Sequence, residues 1–92
     1  MSFSQHQAQG AHYYAQYNEI DAYAVGTASE LLLKHNAKDK KVDVAQLTRE
    51  ADHFFYVKYA QSAPHNEIQQ IHRRFIRTLV NNLNHHNEQV IQ

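Results

Sequence analysis

The sequence IQQIHRRFIRTLVNNL, residues 68–83, places an apolar side chain at every third or fourth position. Side chains with this spacing lie on one face of an α-helix, because about 3.6 residues complete a turn. Pro64 precedes the pattern, and proline is tolerated in a first helical turn, where its missing N–H has no intrahelical acceptor. We therefore predict a helix that begins near Pro64. Its apolar face would consist of Ile68, Ile71, Phe75, Leu79, Leu83 and Val90.

A helix before this one is predicted from its start at Asp43. The Asp43 carboxylate can accept the N–H groups of the first turn, and Gln46 stands at the capping-box position. Val42 can pack against Leu47 across the cap. The helix should end near Gln61, before the next one restarts at proline. The inward side chains would be Val44, Leu47, Ala51, Phe54 and Phe55.

The first helix is predicted over residues 11–35, with its end at Asn36. Its apolar stripe has the same spacing, and Gly26 falls on the opposite, polar side. The charged segment 37–41 has no helical periodicity, so we interpret it as a connecting loop. The stripe would consist of Tyr13, Tyr17, Ile20, Ala24, Ala28 and Leu31.

These patterns predict an all-α fold, a small antiparallel three-helix bundle. Two glycines and one proline in 92 residues are too few for the turns of a hairpin-rich sheet protein. Residues 11–92 would form one helical domain, and residues 1–10 either a short flexible tail or an extension of the first helix. No apolar run is long enough to span a membrane, and no secretory signal is visible, so we expect a cytoplasmic protein.

Charge is balanced overall but unevenly distributed. Residues 1–33 contain three acids and no lysine or arginine, whereas the rest of the chain carries all nine basic residues. Arg73, Arg74 and Arg77 share the face of the third helix opposite its apolar stripe, and none has an acid three or four residues away. They predict an arginine ridge for a partner, although a solvated helix face gives the same pattern. Asp21 lies within the apolar arc of the first helix, where an unpaired carboxylate would be costly, so we expect it to be paired with a tyrosine hydroxyl, a histidine or an arginine from another helix.

The first helix is also rich in tyrosine. Tyr13, Tyr14, Tyr17 and Tyr23 fall within eleven residues. Tyrosine is favoured at interfaces because it combines a large contact area with a hydrogen-bonding tip. We predict a partner-binding face there, and the alternative is that this helix is central in the bundle and keeps its hydroxyl groups wet.

Eight histidines invite a metal hypothesis, but their spacing does not support it. The one Glu-x-x-His, Glu50 to His53, points away from the apolar stripe of its helix. His72 and His86 fall on the apolar face of the third helix and should be partly buried structural residues. The chain also lacks cysteine and has no catalytic triad or phosphate-binding glycine loop, so we expect no metal site, no cofactor and no enzyme activity.

The function predicted from these features is that of a non-enzymatic helical interaction protein, an adaptor or an inhibitor. It would bind a protein partner through its tyrosine-rich first helix and the arginine ridge, and a homodimer is a further alternative. The second candidate is a small nucleic-acid-binding regulator. Its surface would combine the ridge with the loop residues Lys38, Lys40 and Lys41.

Overall fold

The protein folds into three α-helices in the computed structural model, which describes the backbone of residues 2–59 and 65–90 and the side chains of residues 17–59 and 67–90. The helices are α1, Ser2–Lys34; α2, Val44–Tyr59; and α3, His65–Gln89. No strand occurs in the described backbone ranges. The prediction of a small all-α bundle is confirmed.

The helices run up, down and up. Tyr23 of α1 contacts Phe54 of α2, and Lys34, at the end of α1, contacts Glu50, nearer the start of α2. Tyr56, near the end of α2, contacts His72, near the start of α3, and Val42, just before α2, contacts Asn87, near the end of α3. Helices α1 and α3 therefore run parallel, and α2 runs antiparallel to both. Each pair of helices is in contact. The α1 range begins at Ser2 and therefore includes residues 2–10.

The core forms where the three predicted stripes meet. Phe55 and Phe75 are fully buried, with ring centroids 5.1 Å apart, and they join α2 to α3. Burying an aromatic or branched aliphatic side chain contributes about 2 kcal/mol, so these stripes supply most of the driving force. Thr27 is buried too, a position that the apolar pattern did not include. The apolar core comprises Ile20, Ala24, Ala28, Leu31, Leu47, Ala51, Phe55, Ile71, Phe75, Leu79 and Leu83.

Both boundaries of the first loop have specific local causes. Asn36 adopts a left-handed conformation, with φ 53°, which stops α1. The Asn36 N–H donates to Leu33 O at 3.0 Å and the Ala37 N–H donates to Leu32 O at 2.8 Å, which is a Schellman motif. At the start of α2, the Ala45 N–H donates to Asp43 Oδ1 at 3.1 Å. The predicted end at Asn36 and the predicted cap at Asp43 are confirmed.

The loop is held against the last turns of α3. The Val42 N–H donates to Asn87 Oδ1 at 2.8 Å, and the Asn87 side-chain amide donates back to Val42 O at 2.9 Å. His86 Nε2 donates to Lys40 O at 2.7 Å. These bonds satisfy backbone groups that have no partner within a helix.

Within the described part of the chain, no helix combines the length and the apolar composition that a membrane crossing requires.

Candidate docking surface on α3

Asp21 of α1 forms an ion pair with Arg74 of α3. Arg74 Nε donates to Asp21 Oδ1 at 3.0 Å and Arg74 Nη2 donates to Oδ2 at 2.8 Å. The Thr78 hydroxyl donates to Oδ1 at 3.0 Å. The hydrogen bond from Arg74 is the main reason why the pKa of Asp21 lies below its ordinary value, and Thr78 adds to it. The expectation that Asp21 is paired with a residue of another helix is confirmed.

The same contact changes the composition of the arginine ridge. The Arg74 guanidinium is bound to Asp21 and lies 4.7 Å from the centre of the Tyr17 ring, so it serves the α1–α3 interface. Its side chain is half-buried, whereas Arg73 and Arg77 are exposed. All nine acids of the chain are among the residues whose side chains are described, and neither Arg73 nor Arg77 forms an ion pair with any of them. The ridge therefore consists of two arginines.

Tyr23 is held inside the bundle. Its hydroxyl donates to Phe54 O at 3.1 Å, and its ring packs against the rings of Tyr59 and Phe75. Burial raises the pKa of Tyr23 above its ordinary value. These contacts place Tyr23 in the packing between α1 and the other two helices. Tyr17 is half-buried beneath Arg74, and the side chains of Tyr13 and Tyr14 lie outside the described residues.

The lysine loop is separate from the arginines. Lys38, Lys40 and Lys41 are exposed, and the bond from His86 to Lys40 O places them at the C-terminal end of α3. At about 1.5 Å per residue, Arg77 lies about 14 Å, and Arg73 about 20 Å, from His86 along the helix. The lysines therefore do not extend the arginine ridge locally.

An apolar groove follows α3 beside α2 and was not predicted. Ile68, His72, Ile76 and Val80 recur every four residues along α3, and Tyr56 of α2 completes the wall of a cavity of about 580 Å³. Arg73 and Arg77 stand on its rim. Tyr56 is 48% exposed, and the four α3 side chains are half-buried. The signal was present in the sequence, because Ile76 and Val80 continue a four-residue repeat that begins at Ile68, a member of the predicted stripe.

His72 forms part of the groove wall and is fixed in place. Its ring stacks on Tyr56 with centroids 5.4 Å apart, and its Nε2 donates to Asp52 Oδ1 at 2.6 Å. The predicted partial burial of His72 and His86 is confirmed.

Glu50 lies closer to α1 than its phase on α2 suggested. The Glu50 carboxylate accepts from His35 Nε2 at 2.9 Å and from Lys34 Nζ at 3.3 Å. The hydrogen bond from His35 is the main reason why the pKa of Glu50 lies below its ordinary value. His53 is exposed. Among the described residues, no three histidine or acidic side chains are grouped closely enough to hold a metal ion.

Comparison with known proteins finds no matching family model, curated protein or solved structure.

Proposed function

We propose that this protein is a non-enzymatic helical interaction protein that docks an amphipathic, acidic helix of a partner protein in the groove between α2 and α3. The observation that carries the proposal is the apolar wall formed by Ile68, Ile76, Val80 and Tyr56. A wall of this kind is left in contact with water unless another apolar surface covers it. An adaptor or an inhibitor would use a surface of this kind to bind its partner. The cytoplasmic location of the protein stays a prediction.

The shape of the groove favours a helix as its occupant. Twelve residues separate Ile68 from Val80, which is about 18 Å along α3 and slightly more than three helical turns. Side chains repeated every four residues form a ridge that interdigitates with the grooves of a second helix. Since α1 already packs against both other helices, a helix in this groove would take the place of the fourth member of a four-helix bundle.

The charges at the rim favour an acidic occupant. Arg73 and Arg77 are exposed, and neither forms an ion pair with the nine described acids. Guanidinium groups bind carboxylates through paired N–H donors, so acidic residues beside the apolar face of the partner helix would be matched. In this proposal, Arg73 and Arg77 are the two residues of the arginine ridge that contact the partner. The contacts of Tyr23 within the bundle support a structural role for that residue.

A display library of helical peptides, selected against the full chain, tests the proposal. We expect the selected peptides to carry apolar side chains three or four positions apart with aspartate or glutamate beside them. Ile76→Gln should weaken their binding at least tenfold, measured by fluorescence anisotropy, because it places an amide in the apolar wall. Val57→Gln is the matched control, since Val57 is 72% exposed and does not line the groove.

Two outcomes of this test would contradict the proposal. One is selected peptides that bind the Ile76→Gln and Val80→Gln variants as tightly as the original chain, with circular dichroism showing that both variants are folded. The other is a preference for nucleic acid, seen as a gel shift that weakens steeply between two salt concentrations and is lost when Arg73 and Arg77 become alanine. Light scattering in the same buffers detects the remaining alternative, a second copy of this chain in the groove.

A further inference from the structure

A polar pocket lies between α1 and α3, and Arg73 and Arg77 line it as well as the groove. Its other walls are Tyr17, Gln70 and Arg74, and its volume is about 290 Å³. A water molecule occupies about 30 Å³ in the liquid, so this space is large enough for a polyatomic ion. The groove and this pocket share Arg73 and Arg77, whereas Tyr17, Gln70 and Arg74 line this pocket alone.

The charges in this pocket do not cancel. Three guanidinium groups line it, and the Asp21 carboxylate beside it is bound to one of them, Arg74. Both Asp21 oxygens accept hydrogen bonds from Arg74, and Oδ1 also accepts one from Thr78. No other carboxylate lines the pocket. Arg77 also acts on Asp21 through its charge, but neither Arg73 nor Arg77 forms an ion pair with a carboxylate, and like charges four residues apart on a helix repel.

The arrangement of donors suits a tetrahedral anion. Arg73 and Arg77 are four residues apart, so their side chains leave α3 in the same direction about 6 Å apart, and their long arms can converge on one group. Gln70 stands one turn before Arg73 and adds amide donors on the same side. Arg74, held against Asp21 and Tyr17, forms a fixed positive wall behind them.

We infer that this pocket binds a phosphoryl dianion, held by the guanidinium groups of Arg73 and Arg77 and by the side-chain amide of Gln70. A phosphoryl group carries between one and two negative charges at neutral pH and presents three acceptor oxygens, which matches two unpaired guanidiniums better than a single carboxylate does. The group can belong to free phosphate or to a phosphorylated side chain.

Titration of the full chain by NMR tests this inference. Inorganic phosphate, O-phosphoserine and acetate are added separately at constant ionic strength, and the Nε–H signals of Arg73 and Arg77 are followed. We expect saturable binding of the phosphoryl compounds with a Kd on the order of 1 mM, and at least tenfold weaker binding of acetate. Arg77→Ala should weaken phosphate binding about tenfold. Arg49→Ala, which removes an exposed arginine of α2, should leave it unchanged.

Tighter binding of O-phosphoserine than of phosphate assigns the pocket to phosphorylated side chains, and the reverse order assigns it to the free ion. Equal binding of acetate, or an affinity that the Arg73→Ala and Arg77→Ala double variant retains, would overturn the inference. Ile76→Gln should not change the phosphate affinity, so failure of the docking groove and failure of this pocket are distinguished.

Discussion

At the residue scale, the ion pair of Asp21 and Arg74 is a polar contact between α1 and α3. Each side chain is about one-third exposed, so solvent screens part of the attraction. We predict that Asp21→Asn lowers the free energy of unfolding at pH 7 by about 1 kcal/mol, because it removes the charge and one acceptor from a bidentate contact. Urea unfolding measures the loss, and Glu19→Gln, at an exposed acid of the same helix, is the control.

The same residue sets the sign of a pH effect. The pKa of Asp21 is lowered in the folded state, mainly by the hydrogen bond from Arg74, so the unfolded chain takes up its proton first. The contribution of Asp21 is complete above the unfolded pKa of about 3.9 and is lost as the pH falls through the folded pKa. Asp21→Asn should therefore lose less stability than the original chain between pH 5 and about pH 3. An unchanged acid profile would show that the carboxylate is not paired.

The partner of Asp21 illustrates what a single sequence determines at this scale. The need for a partner followed from the position of a carboxylate in an apolar arc. The sequence did not predict which arginine would pair with Asp21. Arg73, Arg74 and Arg77 lie within five consecutive positions, and a small rotation of α3 would exchange them. That rotation depends on how the Phe75 and Leu79 side chains pack against the other helices.

At the scale of the helices, the end of α1 depends on one residue. Asn36 holds a left-handed conformation, which costs a residue with a Cβ about 1 kcal/mol and which asparagine tolerates better than most. We predict that Asn36→Ala lowers the unfolding free energy by about 1 kcal/mol and that Asn36→Gly preserves or raises it. Thermal unfolding of both variants measures the difference. If the alanine variant were as stable as the glycine variant, the Schellman motif would be absent.

Gly26 offers the opposite change within α1. A Cβ added there meets no atom within 4 Å, and the position is exposed. Gly26→Ala should raise the unfolding free energy by about 1 kcal/mol, because alanine loses less backbone entropy than glycine when it joins a helix. Chemical denaturation tests this, and Ala22→Gly, at another exposed position of the same helix, should have the opposite effect. A destabilised variant would place another surface against Gly26.

The helices themselves were predictable, and the groove was not. Each core stripe follows from a three-and-four spacing that only a helix brings to one face. Ile76 and Val80 lie beside that stripe, and their half-burial depends on how far α2 reaches along α3. The sequence predicts that α2 begins at Asp43, but it does not predict that the Tyr56 ring stacks on His72 and forms one wall of the groove.

At the scale of the whole molecule, the exposed lysines of the loop and the two arginines of the ridge lie at different positions along the bundle. The lysine loop lies at one end because Val42 and Asn87 bind it to α3, while the two unpaired arginines lie further back along that helix. The nucleic-acid candidate combined both sets in one surface, and their spacing along α3 follows from loop placement, a tertiary property that composition does not encode. The groove and the polar pocket instead flank the same two arginines.

Chemical-shift mapping with isotope-labelled methyl groups tests the docking groove most directly. A selected acidic helical peptide is titrated into the full chain, and the methyl signals of isoleucine, leucine and valine are followed. We predict that the shifts concentrate on Ile68, Ile76 and Val80, while Val25 and Leu33, which are exposed on α1, stay in place. Shifts centred on Val25 and Leu33, with the three groove residues unmoved, would contradict the account.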